Sequence, residues 1–131
     1  IYSCKENTDL VKNKKQVDEN IDKNDFNVID ARSRERFEGK VAEPRKGLRS
    51  GSIKNSLCLP FGELINDDHT FVSKDKISEK FKSLKFDYNK NSVFSCGSGV
   101  TASVLALAYS LINDRYMPII YDGSWSEYGR I

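Results

Sequence analysis

Histidine is almost missing from this 131-residue chain, and the shortage narrows its chemistry at once. The single one, His69, sits in the polar stretch NDDHT, which reads as a turn. Cysteine is sparse too: Cys4, Cys58 and Cys96 lie far apart, with no C-x-x-C spacing. A zinc site needs clustered thiolates and imidazoles, so no metal and no cofactor is expected. An odd number of scattered thiols predicts reduced cysteines and an intracellular, reducing compartment, cytoplasm or mitochondrion. An excess of one charge is also absent. Lysine plus arginine number 21 against 19 acidic residues, a net charge of +2, which argues against a nucleic-acid or membrane partner. The longest uninterrupted apolar run, VLALAY, is far too short to cross a bilayer. No repeat or low-complexity tract occurs.

What is present reads as alternating strands and helices. The length suits one domain spanning 1–131 that buries a core without disulfides. The chain opens on Ile1 rather than Met, as expected of a fragment or processed product, and residues 1–7 read as a linker or edge-strand segment. Residues 8–22 put Leu10, Lys14, Val17 and Ile21 on one helical face, with Thr8 or Asp9 as N-cap. NVIDA (27–31), SLCLP (56–60), SVFSC (92–96) and PIIYDG (118–123) read as short buried strands. Ile77, Phe81 and Leu84 mark a helix over 75–86, and Val104, Leu107, Ala108 and Leu111 mark the buried face of another. Ser124 and Glu127 have the spacing of a capping box. This alternation predicts an α/β fold with a central parallel sheet and helices on both faces. Ligand sites in such folds gather beyond the carboxyl ends of the strands, where Asp30, Cys96 and Asp122 fall.

The turn after SVFSC carries the strongest chemical signal. GSGVTA fits the dinucleotide pattern G-x-G-x-x-A. That fingerprint normally opens the first unit of a βαβαβ half, however, and too little chain follows Ala102 to complete one. A nucleophilic Cys96 explains more. A cysteine at a strand-to-helix turn meets successive backbone N–H groups and the positive end of the helix dipole, both of which favour thiolate over thiol. Gly97 and Gly99 let the backbone wrap round the sulfur at positive φ or close approach, and Ser98 and Thr101 can add hydroxyl donors. The competing assignment is a buried core thiol, as for Cys58.

CGSGVTA resembles the active-site loop of the rhodanese superfamily, and specifically of its mercaptopyruvate sulfurtransferases. DARSRERFEGKVAEPRKG is similar to that family's arginine-bearing segment, and PIIYDGSWSEYG to its Y-D-G-S-W element, in matching order and spacing. The sequence departs from the family at RSGSIKNSLCLPF, where Ser52, Lys54 and Asn55 replace the usual His, Pro and Gly.

The resemblance implies a rhodanese-like domain, the second of two such domains in a longer chain, with the N-terminal rhodanese-like domain as its covalent partner. It implies Cys96 as nucleophile, the loop Gly97, Ser98, Gly99, Val100 and Thr101 as its cradle, and Arg36 and Arg45 as carboxylate-binding residues. A guanidinium fork grips a carboxylate bidentately and keeps its charge, which gives that role a physical basis. Arg32 is expected to brace Asp30, while Arg34, Lys40 and Lys46 read as solvated. The implied reaction moves sulfur from 3-mercaptopyruvate through a Cys96 persulfide to a thiol such as thioredoxin, or to cyanide, releasing pyruvate. Thiosulfate is the alternative donor, and a noncatalytic rhodanese-like binding module the alternative role. Thiosulfate-specific relatives carry cations in the loop where this chain has Gly97 and Ser98, so the neutral loop favours the monoanionic keto acid. A phosphatase of related fold needs arginine where Ala102 stands.

Overall fold

Val28 and Ile29, Val93 and Phe94, Ile119 and Ile120 are adjacent pairs, so their side chains leave opposite faces of their strands. A strand with apolar groups on both faces has to be covered on both. The computed structural model, which describes residues 8–115 and 117–131, meets that demand with a parallel sheet between two helical layers. The segment 1–7, with Cys4, lies outside the described residues.

The strands are β1 (Val11–Lys12), β2 (Phe26–Asp30), β3 (Leu57–Cys58), β4 (Asn91–Ser95) and β5 (Ile119–Tyr121), all parallel, in the order β1-β5-β4-β2-β3. The helices are α1 (Lys14–Lys23), α2 (Arg34–Phe37), α3 (Lys74–Ser83), α4 (Ala102–Ser110) and α5 (Ser124–Tyr128). Ile29 and Phe94 pack with Ile77 and Phe81 of α3 and Leu105 and Tyr109 of α4. Val28, Val93, Ile119 and Tyr121 pack with Val17 of α1 and Trp125 of α5. The register sets Val28 beside Val93 and Asp30 beside Ser95. From β2 the chain steps outward to β3, then crosses to β4 on the other side of β2. This reversal makes the carboxyl ends of β2 and β4 the switch point where such sheets hold ligands.

Three local expectations are corrected. First, α1 starts at Lys14, not near Thr8, because 8–10 form a 3-10 turn and Val11–Lys12 pair with Ile120–Tyr121 at the sheet edge. Asn13 caps α1 instead: its side chain accepts from Gln16 N–H at 2.9 Å while Gln16 Oε1 accepts from Asn13 N–H at 2.9 Å, a reciprocal capping box. Second, α4 buries Ala102, Leu105, Ala106, Ala108 and Tyr109, and leaves Leu107 55% and Leu111 39% exposed, with Val104 half-buried. Alanines bring the helix close to the sheet, and Tyr109 stacks on Phe81 at 4.9 Å. The third concerns Ser124 and belongs to the site. Asn55, where the sequence departs from the family's glycine, has φ +65°, a left-handed conformation in which asparagine is enriched. Among the described residues no helix is long and apolar enough to cross a membrane.

Candidate active site

Cys96 follows β4 directly and is buried. Its backbone is tied on both sides by the last helix: its N–H donates to Ser124 Oγ at 3.0 Å, and its C=O accepts from Trp125 N–H at 2.9 Å. Its Sγ accepts a hydrogen bond from Gly99 N–H at 2.9 Å. Gly99 has φ +90°, and a Cβ there would lie 2.8 Å from Asp122 O and 2.9 Å from Asp122 Oδ1, so the turn that aims its N–H at sulfur admits only glycine. Gly97 has no positive φ; its lack of a side chain matters because a Cβ would sit 3.1 Å from Arg36 Nη2. The N–H groups of Gly97, Ser98, Val100 and Thr101 have no acceptor among the described residues. The Ser98 and Thr101 side chains line the cavity without bonding Sγ, and Val100 is 71% exposed and turned away from it.

Opposite the loop runs a chain of alternating charges. Arg32, wholly buried, donates to Asp30 through Nε (3.0 Å to Oδ2) and Nη2 (2.8 Å), to Gly51 C=O through Nη2 (2.7 Å), and to Glu43 through Nη1 (3.3 Å). Arg32 does brace Asp30, and it also reaches Glu43. Arg36 completes the chain, with Nε 2.9 Å and Nη2 2.8 Å from the Glu43 carboxylate, whose side chain is fully buried. Burial alone would push the Glu43 carboxyl up, but the hydrogen bond from Arg36 and the charges of both arginines hold it below the ordinary carboxylate range. The Arg36 guanidinium is held above its usual value, chiefly by that hydrogen bond and then by the charges of Glu43 and Asp30, against the opposing effect of burial. Arg34 and Lys40 pair at the surface with Glu63 and Glu38, and Lys46 is exposed.

Ser124 is not the N-cap its spacing predicts. It lies inside α5 with φ +51°, fully buried, and its Oγ donates to Tyr121 C=O at 2.9 Å while accepting from Cys96 N–H. The end of β4 needs an acceptor there, and that need overrides capping. Glu127 accepts from Tyr121 Oη at 2.7 Å. Arg45 reaches the site from the preceding loop, its Nη1 donating to Ser126 Oγ at 2.7 Å, and Ser126 Oγ donates to Gly97 C=O.

These residues enclose a cavity of about 210 Å³ that brings together Arg36, Arg45, Cys96, Gly97, Ser98 and Thr101, with Glu43, Pro44, Leu48 and Ser126 in its wall. That is below the size of sites for drug-sized ligands and suits a small molecule. A thiol sulfur that accepts an amide N–H and shares a cavity with two guanidinium groups can receive an anion and stabilise negative charge next to sulfur. Sequence reasoning missed Glu43, Ser124 and Ser126. Glu43 carried a signal, an acid inside a strongly basic segment; Ser126 carried none.

Comparison with known proteins points the same way. The family described as the rhodanese-like domain matches residues 13–130. The chain is 39% identical over 113 residues to an Arabidopsis thaliana protein named thiosulfate/3-mercaptopyruvate sulfurtransferase 1, mitochondrial, covering 86% of this chain and 30% of that one. It is 37% identical over 127 residues to the Mus musculus 3-mercaptopyruvate sulfurtransferase, covering 97% and 42%. Its fold superposes on the crystal structure of SseA from Escherichia coli, a 3-mercaptopyruvate sulfotransferase of the rhodanese fold, with TM-score 0.76 and 32% identity, covering 97% of this chain and 46% of that one. The chain therefore spans less than half the length of these relatives.

Proposed function

The chain belongs to the rhodanese-like domain family, and from that premise we propose that it is a sulfurtransferase domain that takes sulfur from 3-mercaptopyruvate onto Cys96. The observation that carries the reading is the cavity itself, where Cys96 Sγ, held by Gly99 N–H, shares a small space with Arg36 and Arg45. The Cys96 thiolate attacks the donor's sulfur. The carbon–sulfur bond breaks, its electron pair leaves with the carbon fragment as pyruvate enolate, and the enolate takes a proton. A persulfide remains on Cys96. An acceptor thiolate then attacks the outer sulfur and returns Cys96 as thiolate, which divides the transfer into two half-reactions. Gly99 N–H, already on Sγ, and the other N–H groups of the loop supply donors for the charge that forms on sulfur. Arg36 and Arg45 hold the donor's carboxylate.

Gly97 and Ser98 leave the loop itself uncharged, which suits a monoanion whose carboxylate is bound elsewhere better than dianionic thiosulfate. Thioredoxin is our proposed acceptor, and a preceding rhodanese-like domain of the same chain our proposed partner, in keeping with relatives more than twice as long. Cys58 and Cys96 are both free thiols, and a reducing compartment, cytoplasmic or mitochondrial, suits them. The test is mass spectrometry of the protein after mixing with 3-mercaptopyruvate. A gain of one sulfur on the Cys96 peptide is expected; no gain would reduce the domain to a binding module. A gain from thiosulfate alone would exchange the donor.

A further inference from the structure

The two arginines of the cavity are held in opposite ways. Arg36 grips a buried carboxylate, so its charge is cancelled within the protein. Arg45 has no carboxylate partner among the described residues; its Nη1 rests on the neutral hydroxyl of Ser126 at 2.7 Å. That hydroxyl is itself oriented. Its proton goes to Gly97 C=O, which leaves its lone pairs facing the guanidinium. Gly97 C=O also accepts Ser126 N–H at 2.9 Å, so the serine is fastened to the nucleophile loop by its backbone as well. A hydroxyl holds a cation in place without neutralising it, which a carboxylate at this position could not do.

We propose that Ser126 is a positioning residue: its hydroxyl, anchored on Gly97 C=O, fixes the uncancelled charge of Arg45 beside Cys96, and so sets how a carboxylate-bearing reactant approaches the sulfur. This deepens the sulfurtransferase reading and rests on it for the identity of the reactant, while the geometry stands without it. Removing the hydroxyl leaves the Ser126 N–H bond to Gly97 intact, so the loop keeps its anchor and only Arg45 is released.

Iodoacetate and iodoacetamide test this directly, because the two alkylating reagents are alike in shape and only the first carries a carboxylate. The readout is the ratio of their rates at Cys96, resolved by peptide mapping. Ser126→Ala is expected to lower the iodoacetate-to-iodoacetamide ratio about fivefold, the scale of the net contribution of one ordinary hydrogen bond, and Ser126→Thr to retain it. In an Arg45→Ala background, Ser126→Ala is expected to cause no further fall, since both changes remove the same held charge. An unchanged ratio in Ser126→Ala, or a full additional fall in the double variant, would overturn the proposal. Sulfur uptake by the unmodified protein, measured alongside, separates the two readings. Failure of Cys96 to gain sulfur with the ratios behaving as expected supports the role of Ser126 and strikes only the sulfurtransferase assignment.

Discussion

Two cysteines with nearly equal burial have opposite surroundings. Cys58 ends β3 beside Asp30, and its Sγ has only the distant Arg32 C=O at 3.6 Å to donate to. Burial first, and the Asp30 charge second, push its thiol up to about 11. At neutral pH about one such thiol in ten thousand is ionised, and the thiolate is the reactive form. Cys96 instead receives an N–H on its sulfur and opens onto the cavity. Limiting iodoacetamide at pH 7 is therefore expected to label Cys96 and spare Cys58; preferential labelling of Cys58 would remove Cys96 from the centre of the site. The two loop glycines divide as sharply. Gly99→Ala drives a methyl into the Asp122 backbone at positive φ, whereas Gly97→Ala, at an ordinary φ, presses at 3.1 Å on an Arg36 guanidinium that Glu43 holds. Sulfur-transfer rate is expected to collapse in the first variant, with a strain of about 1–3 kcal/mol, and to fall by less in the second, as Arg36 gives by a few tenths of an ångström. Equal losses would show that both positions need glycine for the same reason.

Elements differ in how far their sequence betrays them. The strands VID and SVFS were legible because apolar residues on successive positions leave a strand no choice but burial on both faces. The α/β alternation and the parallel sheet rest on that. The face of α4 was not legible. ASVLALAYS is apolar almost all round, so its periodicity has no unique phase, and the choice falls to tertiary packing of small alanines on the sheet. The contrast can be measured. Leu105→Ala, fully buried, is expected to cost about 2–5 kcal/mol in denaturant unfolding. Leu107→Lys, more than half exposed, should change stability by about 0.5 kcal/mol or less. A larger loss at Leu107 would restore the expected face. Arg45 and Ser126 lie 81 residues apart, and nothing local in either segment announces their bond. Contacts of that range are written in the topology, which periodicity does not reach.

At the scale of the molecule, the Asp30–Arg32–Glu43–Arg36 chain joins the end of β2, helix α2 and the following loop, so its integrity bears on global stability. Glu43 has a folded value below its unfolded one, and its contribution is therefore full above the ordinary carboxylate range and lost as pH falls through the lower, folded value. Unfolding midpoints in urea are expected to drop below about pH 4. Glu43→Gln should cost about 3 kcal/mol at pH 7, because it strands two cations beside one carboxylate, and should flatten the acid limb of the curve. An acid limb as steep as that of the unmodified protein would assign the acid loss to other carboxylates. The position of β5 has a different consequence. It lies between β1 and β4, so among the described strands the one made last is inserted next to the one made first. Until it arrives, β1 has no neighbour, and the carbonyls of Cys96 and Gly97 lack the donors of Trp125 and Ser126. A nascent chain therefore carries the thiol before it carries the site. The nucleophile's cradle is completed only once β5 and α5 have followed it, when the reactive sulfur is also drawn into the fold that shelters it.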